Sequence, residues 1–221
     1  MKTELILFDC DGVLVDSEPL SALAYRNVYA RHGATIEAEV FGRCIGMKQS
    51  DILNLICEIT GVQLPVEQIP EIWTETRALF QQGLQATPGL VNFLKSLSPA
   101  KCVASSSSLE RIHFSLALTG VAPFFSPSTV FSSSMVKRGK PEPDLFLFAA
   151  DKCGARAEKC LVIEDSPYGV RGARAAGMKV IGFTGGGHCT PRLADTLKSE
   201  GANFVCGTWP DVEAVLSSPS I

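Results

Sequence analysis

Short apolar runs alternate with helical patterns over most of the chain, and this alternation limits the possible fold more than any other feature. The runs lie at 4–9, 101–106, 160–165 and 179–184, with a weaker one at 203–207. Amphipathic segments such as "LERIHFSLALTG" and "PRLADTLKSEG" lie between them. Strands separated by helices of this length pair in parallel and are covered on both faces. The sequence therefore predicts an α/β protein built on a parallel sheet.

One long interval interrupts this rhythm directly after the first strand. Between Ser17 and Gln85 only helical patterns are present, among them "PLSALAYRNVYARHG" and "QSDILNLICEITG". A crossover between parallel strands needs only about a dozen residues. We therefore predict an inserted cap domain of four to five helices over 17–85, and a Rossmann-like core formed by 1–16 and 86–221. In such sheets the ligand binds beyond the carboxyl ends of the strands, where this insert begins.

Composition and charge exclude several classes of partner. The 221 residues are 46% hydrophobic and 19% charged, as in globular proteins with a sizeable core, and the formal net charge is −3. This charge provides no general attraction to nucleic acid or to an anionic membrane. No apolar stretch approaches the roughly 20 residues that a bilayer span requires. We expect a monomer that binds a small molecule, with no nucleic acid and no membrane as partner.

The eight cysteines do not follow the pattern of a disulfide framework or of a metal site. None is arranged as Cys-x-x-Cys, and most lie inside apolar runs, as do Cys10, Cys102, Cys160 and Cys206. Cysteines of this kind pack as small hydrophobic residues in reducing compartments. The strand pattern begins almost at the first residue, so no signal peptide is expected. These features predict a cytoplasmic protein with reduced thiols.

Clustered aspartates end the first predicted strand. In "LILFDCDGVLVD", Asp9 and Asp11 follow the apolar run two residues apart, and Gly12 allows the chain to turn around a common point. A calcium loop of the EF-hand type would need a glutamate at its twelfth position, where this chain has Leu20. A capped turn with solvated carboxylates would explain a single aspartate. For several aspartates after a buried strand, we favour a site that holds a cation.

A second pair of carboxylates, Glu164 and Asp165, ends the strand predicted at 160–165. An aspartate ahead of a helix is also an ordinary N-cap, so this pair alone decides nothing. If the two acidic strands are neighbours, however, four carboxylates meet at one edge, and they cannot stay ionised there without a cation. Oxygen ligands select magnesium, calcium or manganese over zinc. Because magnesium is the usual partner of phosphates, we predict a Mg²⁺ site.

Two further positions carry candidate groups for recognising a phosphate. Lys140 lies in a rigid Gly-Lys-Pro turn ahead of a helix, where it is either a surface charge or a counter-ion between a carboxylate and a phosphate. Ser105 lies at the end of the strand predicted at 101–106. Its hydroxyl and the backbone N–H of Ser106 are candidate donors to a phosphate oxygen. Taken singly, these residues do not indicate a function.

The order of these motifs resembles that of one enzyme superfamily. Asp-x-Asp-Gly at 9–12, a serine after the second strand, Lys-Pro at 140–141 and Glu-Asp at 164–165 are together similar to the haloacid dehalogenase superfamily. The resemblance is to its phosphatase and phosphomutase branch, which carries a helical cap after the first strand, and it covers nearly the whole chain. Members named for dehalogenation have a non-acidic residue where this chain has Asp11, so dehalogenase chemistry is disfavoured.

The resemblance implies a role for each motif residue. Asp9 would be the nucleophile that forms an aspartyl-phosphate, and Asp11 the general acid and base, with a pKa raised by neighbouring negative charge. Lys140 and Ser105 would stabilise charge on the transferring oxygens. The Mg²⁺ ligands would be the side chains of Asp9 and Asp165, the backbone carbonyl of Asp11, and Glu164 either directly or through water.

Within the superfamily, the cap separates the alternatives. β-Phosphoglucomutase has a histidine where this chain has Ser21, and an arginine in the segment matching "CIGMKQSD", where this chain has Lys48 and Gln49. These departures favour a phosphomonoester hydrolase over a phosphomutase, which stays the alternative. A Schiff base on Lys48, as in phosphonoacetaldehyde hydrolase, is disfavoured. A non-catalytic binding or regulatory protein is also disfavoured, because every charged group of the site is present.

The substrate is predicted only as a class. We expect a small phosphorylated metabolite, either a sugar phosphate or a sugar-acid phosphate, with Lys48 and Arg43 of the cap as candidates for contacting its polar end. His32 and His113 lie on predicted helices and are interpreted as packing or surface residues rather than ligands. The glycine-rich segment 185–191 is interpreted as a loop at the same edge of the sheet, because no lysine of a phosphate-binding loop follows its glycines.

Overall fold

Six parallel strands form one sheet in the computed structural model, which describes residues 3–218 apart from the side chain of Ala38. The strands are β1 (Leu5–Phe8), β2 (Ala100–Ser105), β3 (Val130–Ser132), β4 (Cys160–Glu164), β5 (Lys179–Phe183) and β6 (Phe204–Cys206). Their order in the sheet is β3-β2-β1-β4-β5-β6. The predicted α/β class with a Rossmann-like parallel sheet is confirmed, including the weak strand at 203–207.

The sequence patterns do not predict β3. This strand has three residues, lies at the edge of the sheet and pairs with β2. Such a short edge strand buries few side chains, so its segment does not form the longer apolar run that marks the central strands of a parallel sheet.

Ten α-helices lie within the described residues. Those between β1 and β2 are α1 (Glu18–Arg31), α2 (Ala38–Gly42), α3 (Gln49–Thr60), α4 (Ile69–Gly83) and α5 (Leu90–Ser96). Those that follow β2 are α6 (Leu109–Leu118), α7 (Asp144–Lys152), α8 (Pro167–Ala175), α9 (Pro191–Ser199) and α10 (Trp209–Leu216). The helices predicted from "LERIHFSLALTG" and "PRLADTLKSEG" are α6 and α9.

Two hydrophobic cores cover the two faces of the sheet, because successive side chains of a strand point to opposite faces. Phe8 of β1 belongs to one core, in which the ring of Trp209 stacks on that of Phe183 with centroids 4.5 Å apart. Leu7 belongs to the other core, together with residues of α7 and α8. Since β1 is buried on both faces, the position of Asp9 at its end is fixed by packing on both sides.

Strand order reverses at β1, whose neighbours are β2 and β4. The chain runs outward from β1 to β3 and then crosses to β4, from which it runs outward to β6. A crevice forms beyond the carboxyl ends of the strands at such a reversal, and ligands bind there in open α/β sheets. The backbone N–H of Asp9 donates to the carbonyl of Ile163 at 3.0 Å, so the two acidic strand ends are adjacent.

Helices α1 to α4, which we call the helical insert, form a hydrophobic cluster of their own. Tyr29, Ile56 and Ile72 are buried in this cluster, and α1 packs along α4. The chain segments that enter and leave the insert run side by side, with the N–H of Asp16 donating to the carbonyl of Gln85 at 2.9 Å. The insert therefore begins and ends at neighbouring points beside the sheet edge.

The predicted division into a cap over 17–85 and a core over 1–16 and 86–221 stays a prediction. Its terminal residues, 1–2 and 219–221, lie outside the described part of the chain.

The state of the cysteines and the hydropathy of the helices are two further features of the fold. All eight cysteines are free thiols, and five of them are buried among other side chains. Within residues 3–218, no helix combines the length and the apolar character that crossing a membrane requires.

Candidate active site

Lys140 joins the two acidic strand ends. Its Nζ lies 2.7 Å from Asp9 Oδ1 and 2.6 Å from Glu164 Oε1. Glu164 Oε2 accepts hydrogen bonds from the backbone N–H and the hydroxyl of Ser166, at 2.7 and 2.9 Å. Burial raises the pKa of Asp9 well above its ordinary value, although the charge of Lys140 acts in the opposite direction. The structure thus brings three of the predicted residues into one buried network.

Asp165 completes a cluster that fits a metal ion. Carboxylate oxygens of Asp9, Glu164 and Asp165 lie within 4.8 Å of one another. Both oxygens of Asp165 are buried and accept no well-formed hydrogen bond from the described residues, although Nε2 of His188 lies 3.0 Å from Oδ2. Burial and the charge of Glu164 raise the pKa of Asp165 well above its ordinary value. Unpartnered carboxylate oxygens in an all-oxygen donor set fit a hard cation such as Mg²⁺.

Gly12 allows the loop after β1 to approach this cluster. Its φ of +76° lies in the left-handed region that glycine adopts without strain. A Cβ at this position would overlap the carboxylate of Asp165. The glycine of the Asp-x-Asp-Gly motif therefore permits the close contact between the two acidic strand ends.

Asp11 is held by three donors. Its Oδ1 accepts from the hydroxyl of Ser17 at 2.6 Å and from Arg111 Nη2 at 2.7 Å, and its Oδ2 accepts from the hydroxyl of Ser107 at 2.6 Å. Burial alone would raise the pKa of this carboxyl. The charge of Arg111 and the hydrogen bonds outweigh burial, so the pKa of Asp11 lies below its ordinary value. The expected rise in this pKa is therefore wrong for this arrangement, because Arg111 supplies a neighbouring positive charge.

A serine-rich wall adjoins the site at the end of β2. Ser105 is buried, and its hydroxyl oxygen accepts the backbone N–H of Ser107 at 3.1 Å, which leaves the hydroxyl proton for another acceptor. The hydroxyl of Ser106 donates to the carbonyl of Gly46 in the helical insert at 3.0 Å. Both serines line the same cavity as Asp9, and Ser106 also connects the sheet edge to the insert.

A cavity of about 820 Å³ lies between the sheet edge and the helical insert. Its walls include Asp9, Asp11 and Ser105 from the sheet side and Tyr25, Lys48 and Trp73 from the insert. Lys48 therefore lines the cavity, and its contact with substrate stays a prediction. Arg43 is exposed and does not line the cavity, so the structure gives no support for Arg43 in that role.

Comparison with known proteins identifies the family. The family model described as "Hydrolase: haloacid dehalogenase-like hydrolase" matches residues 3–177, which is most of the chain. The chain belongs to the haloacid dehalogenase-like hydrolases. A 6-phosphogluconate phosphatase of Escherichia coli (strain K12) is 31% identical to this hydrolase over 192 residues, 86% of each chain. The predicted superfamily is confirmed, and so is the prediction of an enzyme of its phosphatase type.

Solved structures agree with this assignment. A conserved haloacid dehalogenase-like protein from Agrobacterium tumefaciens is 34% identical, with a TM-score of 0.85 over 99% of this chain and 100% of the other. A hydrolase of the same family from Deinococcus radiodurans, solved with bound phosphate and sodium, is 30% identical. It has a TM-score of 0.78 over 97% of this hydrolase and 95% of the other chain.

Carboxyl groups outnumber permanent cations at the site of this hydrolase. The carboxyl groups are those of Asp9, Asp11, Glu18, Glu164 and Asp165. Among the described residues, the permanent cations within ion-pair distance of them are Lys140 and Arg111. Burial and the charge of Asp11 raise the pKa of Glu18 to about 7. Such an excess of buried negative charge favours a bound cation.

Three residues of the site, Arg111, Glu18 and His188, are missing from the sequence prediction. Arg111 lies in the first turn of α6, where a positive charge opposes the helix dipole. That unfavourable placement, directly after a serine-rich strand end, is the signal that could have identified it. His188 lies in the glycine-rich segment 185–191, whose position at the sheet edge was predicted without a role. Glu18 offers no comparable signal, because acidic residues are common in the first turn of a helix.

The other two histidines do not line the cavity. His113 is exposed on α6. His32 follows the end of α1, and its Nε2 lies 3.3 Å from Glu71 Oε1 within the helical insert. Their positions are those of a surface residue and of a residue that packs between helices.

Proposed function

We propose that this hydrolase is a Mg²⁺-dependent phosphomonoesterase that transfers a phosphoryl group from a small metabolite to Asp9 and then to water. One observation carries the proposal: Lys140 Nζ bridges Asp9 and Glu164 at 2.7 and 2.6 Å, with the carboxylate of Asp165 beside them. A nucleophilic carboxylate, a fixed cation and a metal-binding carboxylate at one edge are groups that phosphoryl transfer uses.

Four residues would hold the ion: Asp9 and Asp165 through their side chains, Asp11 through its backbone carbonyl, and Glu164. Both oxygens of Glu164 already accept hydrogen bonds, from Lys140 and from Ser166. We therefore propose that Glu164 acts through a water molecule rather than directly. The bound Mg²⁺ would supply positive charge that reduces the repulsion between the Asp9 carboxylate and a phosphate dianion.

In the first step, an oxygen of Asp9 attacks phosphorus, and the bond from phosphorus to the alcohol oxygen breaks. Lys140 fixes the Asp9 carboxylate and offsets negative charge as the two groups approach each other. The hydroxyl of Ser105 donates a hydrogen bond to a phosphate oxygen. Its O–H is free to do so, because the Ser105 oxygen accepts the backbone N–H of Ser107. Asp11, protonated when substrate is bound, gives its proton to the departing alcohol oxygen.

In the second step, Asp11 takes a proton from water, and the water oxygen attacks phosphorus and releases phosphate from Asp9. This step requires Asp11 as an anion. Ser17, Ser107 and Arg111 stabilise that anion through their hydrogen bonds. The first step requires the protonated form instead, so substrate binding must displace some of these donors.

We propose that residues 17–85 form a cap over the site and that the substrate is a sugar phosphate or a sugar-acid phosphate. The cavity of about 820 Å³ has room for such an ester. Lys48 lines this cavity from the insert, and its ammonium suits a hydroxyl or carboxylate of the alcohol part. Similarity to a 6-phosphogluconate phosphatase supports a sugar-acid phosphate as a candidate. That the protein is a monomer stays an expectation.

Release of phosphate from a panel of phosphomonoesters tests the proposal. The panel contains 4-nitrophenyl phosphate, hexose phosphates and sugar-acid phosphates, each assayed with Mg²⁺ and with excess EDTA. We expect hydrolysis that EDTA stops and that Asp9→Asn abolishes. Asp51→Asn, a matched change at an exposed position of α3, should have no effect. Hydrolysis that survives Asp9→Asn, or no hydrolysis of any ester, would refute the proposal.

A phosphomutase is the alternative, because the same acidic site serves both reactions. At the position where β-phosphoglucomutase has a histidine, the hydroxyl of Ser21 accepts a hydrogen bond from Arg111 at 2.8 Å. Adding a sugar bisphosphate together with a sugar monophosphate separates the two functions. A mutase would yield isomerised sugar phosphate, whereas a hydrolase yields free phosphate, and a non-catalytic binding protein would yield neither.

A further inference from the structure

Arg111 connects the proposed acid–base residue to both ends of the helical insert. Its Nη2 donates to Asp11 Oδ1 at 2.7 Å and to Ser21 Oγ at 2.8 Å. Its guanidinium carbon lies 5.1 Å from the centre of the Phe80 ring. We propose that Arg111 is a positioning residue that orients Asp11 for proton transfer while the insert is docked on the sheet edge, an inference that rests on the proposed function.

The start of α6 places Arg111 at this point. Ser108 caps the helix, and its hydroxyl oxygen accepts the backbone N–H of Arg111 at 3.3 Å. A positive charge in the first turn opposes the helix dipole, which favours acidic side chains there. A residue that breaks a local preference inside a cavity indicates a functional reason for its position.

Asp11 depends on Arg111 for a counter-charge. Lys140, the second cation in ion-pair contact with the site among residues 3–218, is engaged with the other carboxylates. Without Arg111, Asp11 would retain only hydroxyl donors, from Ser17 and Ser107. Its carboxylate would then face the neighbouring acidic groups with no positive charge beside it, and it would be free to change orientation.

The contacts of Arg111 reach both crossings between the sheet and the insert. Ser21 lies in the first turn of α1, which begins the insert, and Phe80 lies in the last turn of α4, which ends it. The ring of Phe80 covers the guanidinium and keeps water away from it, which strengthens its interaction with Asp11. Phe80 packs in the core on the sheet, whereas Ser21 belongs to the first helix of the insert. Moving α1 off the sheet edge would therefore break the contact with Ser21 and loosen the arginine that holds Asp11.

Arg111 also limits the orientation of the Asp11 carboxyl group. Its Nη2 holds Oδ1 at 2.7 Å, and the hydroxyl of Ser107 holds Oδ2 at 2.6 Å, so the two contacts together fix the plane of the carboxyl group. The step that depends on this orientation is the proton transfer from Asp11 to the ester oxygen as the bond between that oxygen and phosphorus breaks.

The dependence of kcat/KM on the leaving group tests this inference. Phenyl phosphate and 4-nitrophenyl phosphate have nearly the same shape, but nitrophenolate leaves readily without a proton and phenolate does not. Since kcat/KM reports the steps up to phosphorylation of Asp9, it isolates the action of Asp11 as an acid. We expect Arg111→Ala to lower kcat/KM for phenyl phosphate about tenfold more than for 4-nitrophenyl phosphate.

Three further variants make the result specific. Asp11→Asn should show the same leaving-group dependence, and adding Arg111→Ala to it should cause no further loss, because both changes remove one proton transfer. Arg111→Lys keeps the charge without the planar guanidinium and should show a difference between the two esters that is intermediate.

Arg77→Ala is the matched control. The guanidinium carbon of Arg77 lies 5.1 Å from the centre of the Phe114 ring, at the same contact between α4 and α6. This variant should affect both esters equally.

Equal losses for the two esters in Arg111→Ala, or a further loss in the double variant, would overturn the inference and leave hydrolysis through Asp9 intact. If Arg111→Ala does not fold, the losses in kcat/KM for the two esters are compared in Arg111→Lys instead, where equal losses would also overturn the inference. If the wild-type protein hydrolyses neither ester with Mg²⁺, the proposed function itself fails.

Discussion

Lys140 Nζ lies 2.6 Å from Glu164 Oε1, and neither side chain is exposed to solvent. Removing one partner of such a buried pair leaves a charge without compensation and typically costs about 3–5 kcal/mol. We therefore expect Lys140→Ala to lower the free energy of unfolding by about 3 kcal/mol in EDTA, and to lose activity. Urea unfolding measures the change. Lys95→Ala, at an exposed position of α5, should stay within about 0.5 kcal/mol of wild type. Similar losses in the two variants would argue against the buried network.

Asp165 offers two buried oxygens without hydrogen-bond partners among the described residues, so its removal should weaken metal binding. A ligand at a hundredfold excess over its Kd stabilises the folded state by about 2.7 kcal/mol. We expect Mg²⁺ to raise the Tm of the wild-type protein, and Asp165→Asn to lose most of that rise. Asp195→Asn, at an exposed position of α9, is the control and should keep it. A full Mg²⁺ response in Asp165→Asn would place the ion elsewhere.

Glu18 should make the stability of the metal-free protein depend on pH. Burial raises the pKa of Glu18 to about 7, above the value of about 4.3 for an unfolded chain. Between these values the folded state binds the proton more tightly, so stability falls as pH rises toward 7. In EDTA, Glu18→Gln should therefore melt above wild type at pH 8, and the difference should shrink toward pH 4.5. Glu58→Gln, on an exposed part of α3, should show no such trend. A constant difference across this range would disprove the burial argument.

Gly46 tests whether the helical insert must approach the sheet edge. Its φ is +79°, and a Cβ there would overlap the side chain of Ser166. Gly61 has a similar φ of +71°, but a Cβ there would meet nothing within 4 Å. Alanine at either position should cost about 1–2 kcal/mol of backbone strain. Only Gly46→Ala should also lower kcat/KM for 4-nitrophenyl phosphate. Equal activity of the two variants would mean that the approach of the insert does not matter for catalysis.

The sheet and the acidic edge were predictable because they depend on local patterns. A strand that is buried on both faces must be apolar along its whole length, so β1, β2, β4 and β5 are visible as runs of hydrophobic residues. Polar residues at the ends of such runs then have to lie at one edge. This reasoning places Asp9, Ser105, Glu164 and Asp165 together without any knowledge of the side-chain contacts.

The rest depended on three-dimensional contacts that no short motif contains. Arg111 reaches Asp11 from helix α6, a hundred residues along the chain from the loop after β1, and its charge reverses the expected direction of the Asp11 pKa shift. The exposure of Arg43 follows from how the insert packs, since nothing in its local sequence distinguishes it from Lys48. The edge strand β3 was missed because three residues are too few to form a recognisable run.

Detection of a phosphoryl group on Asp9 tests the central claim most directly. Asp11→Asn, in which the base of the second step is missing, is mixed with 4-nitrophenyl phosphate and Mg²⁺, quenched in acid and digested for mass spectrometry. The account predicts the added mass of one phosphoryl group on the peptide that contains Asp9, and its absence when Asp9→Asn is also present. A phosphoryl group on another residue, or turnover with no phosphorylated peptide at any quench time, would contradict it.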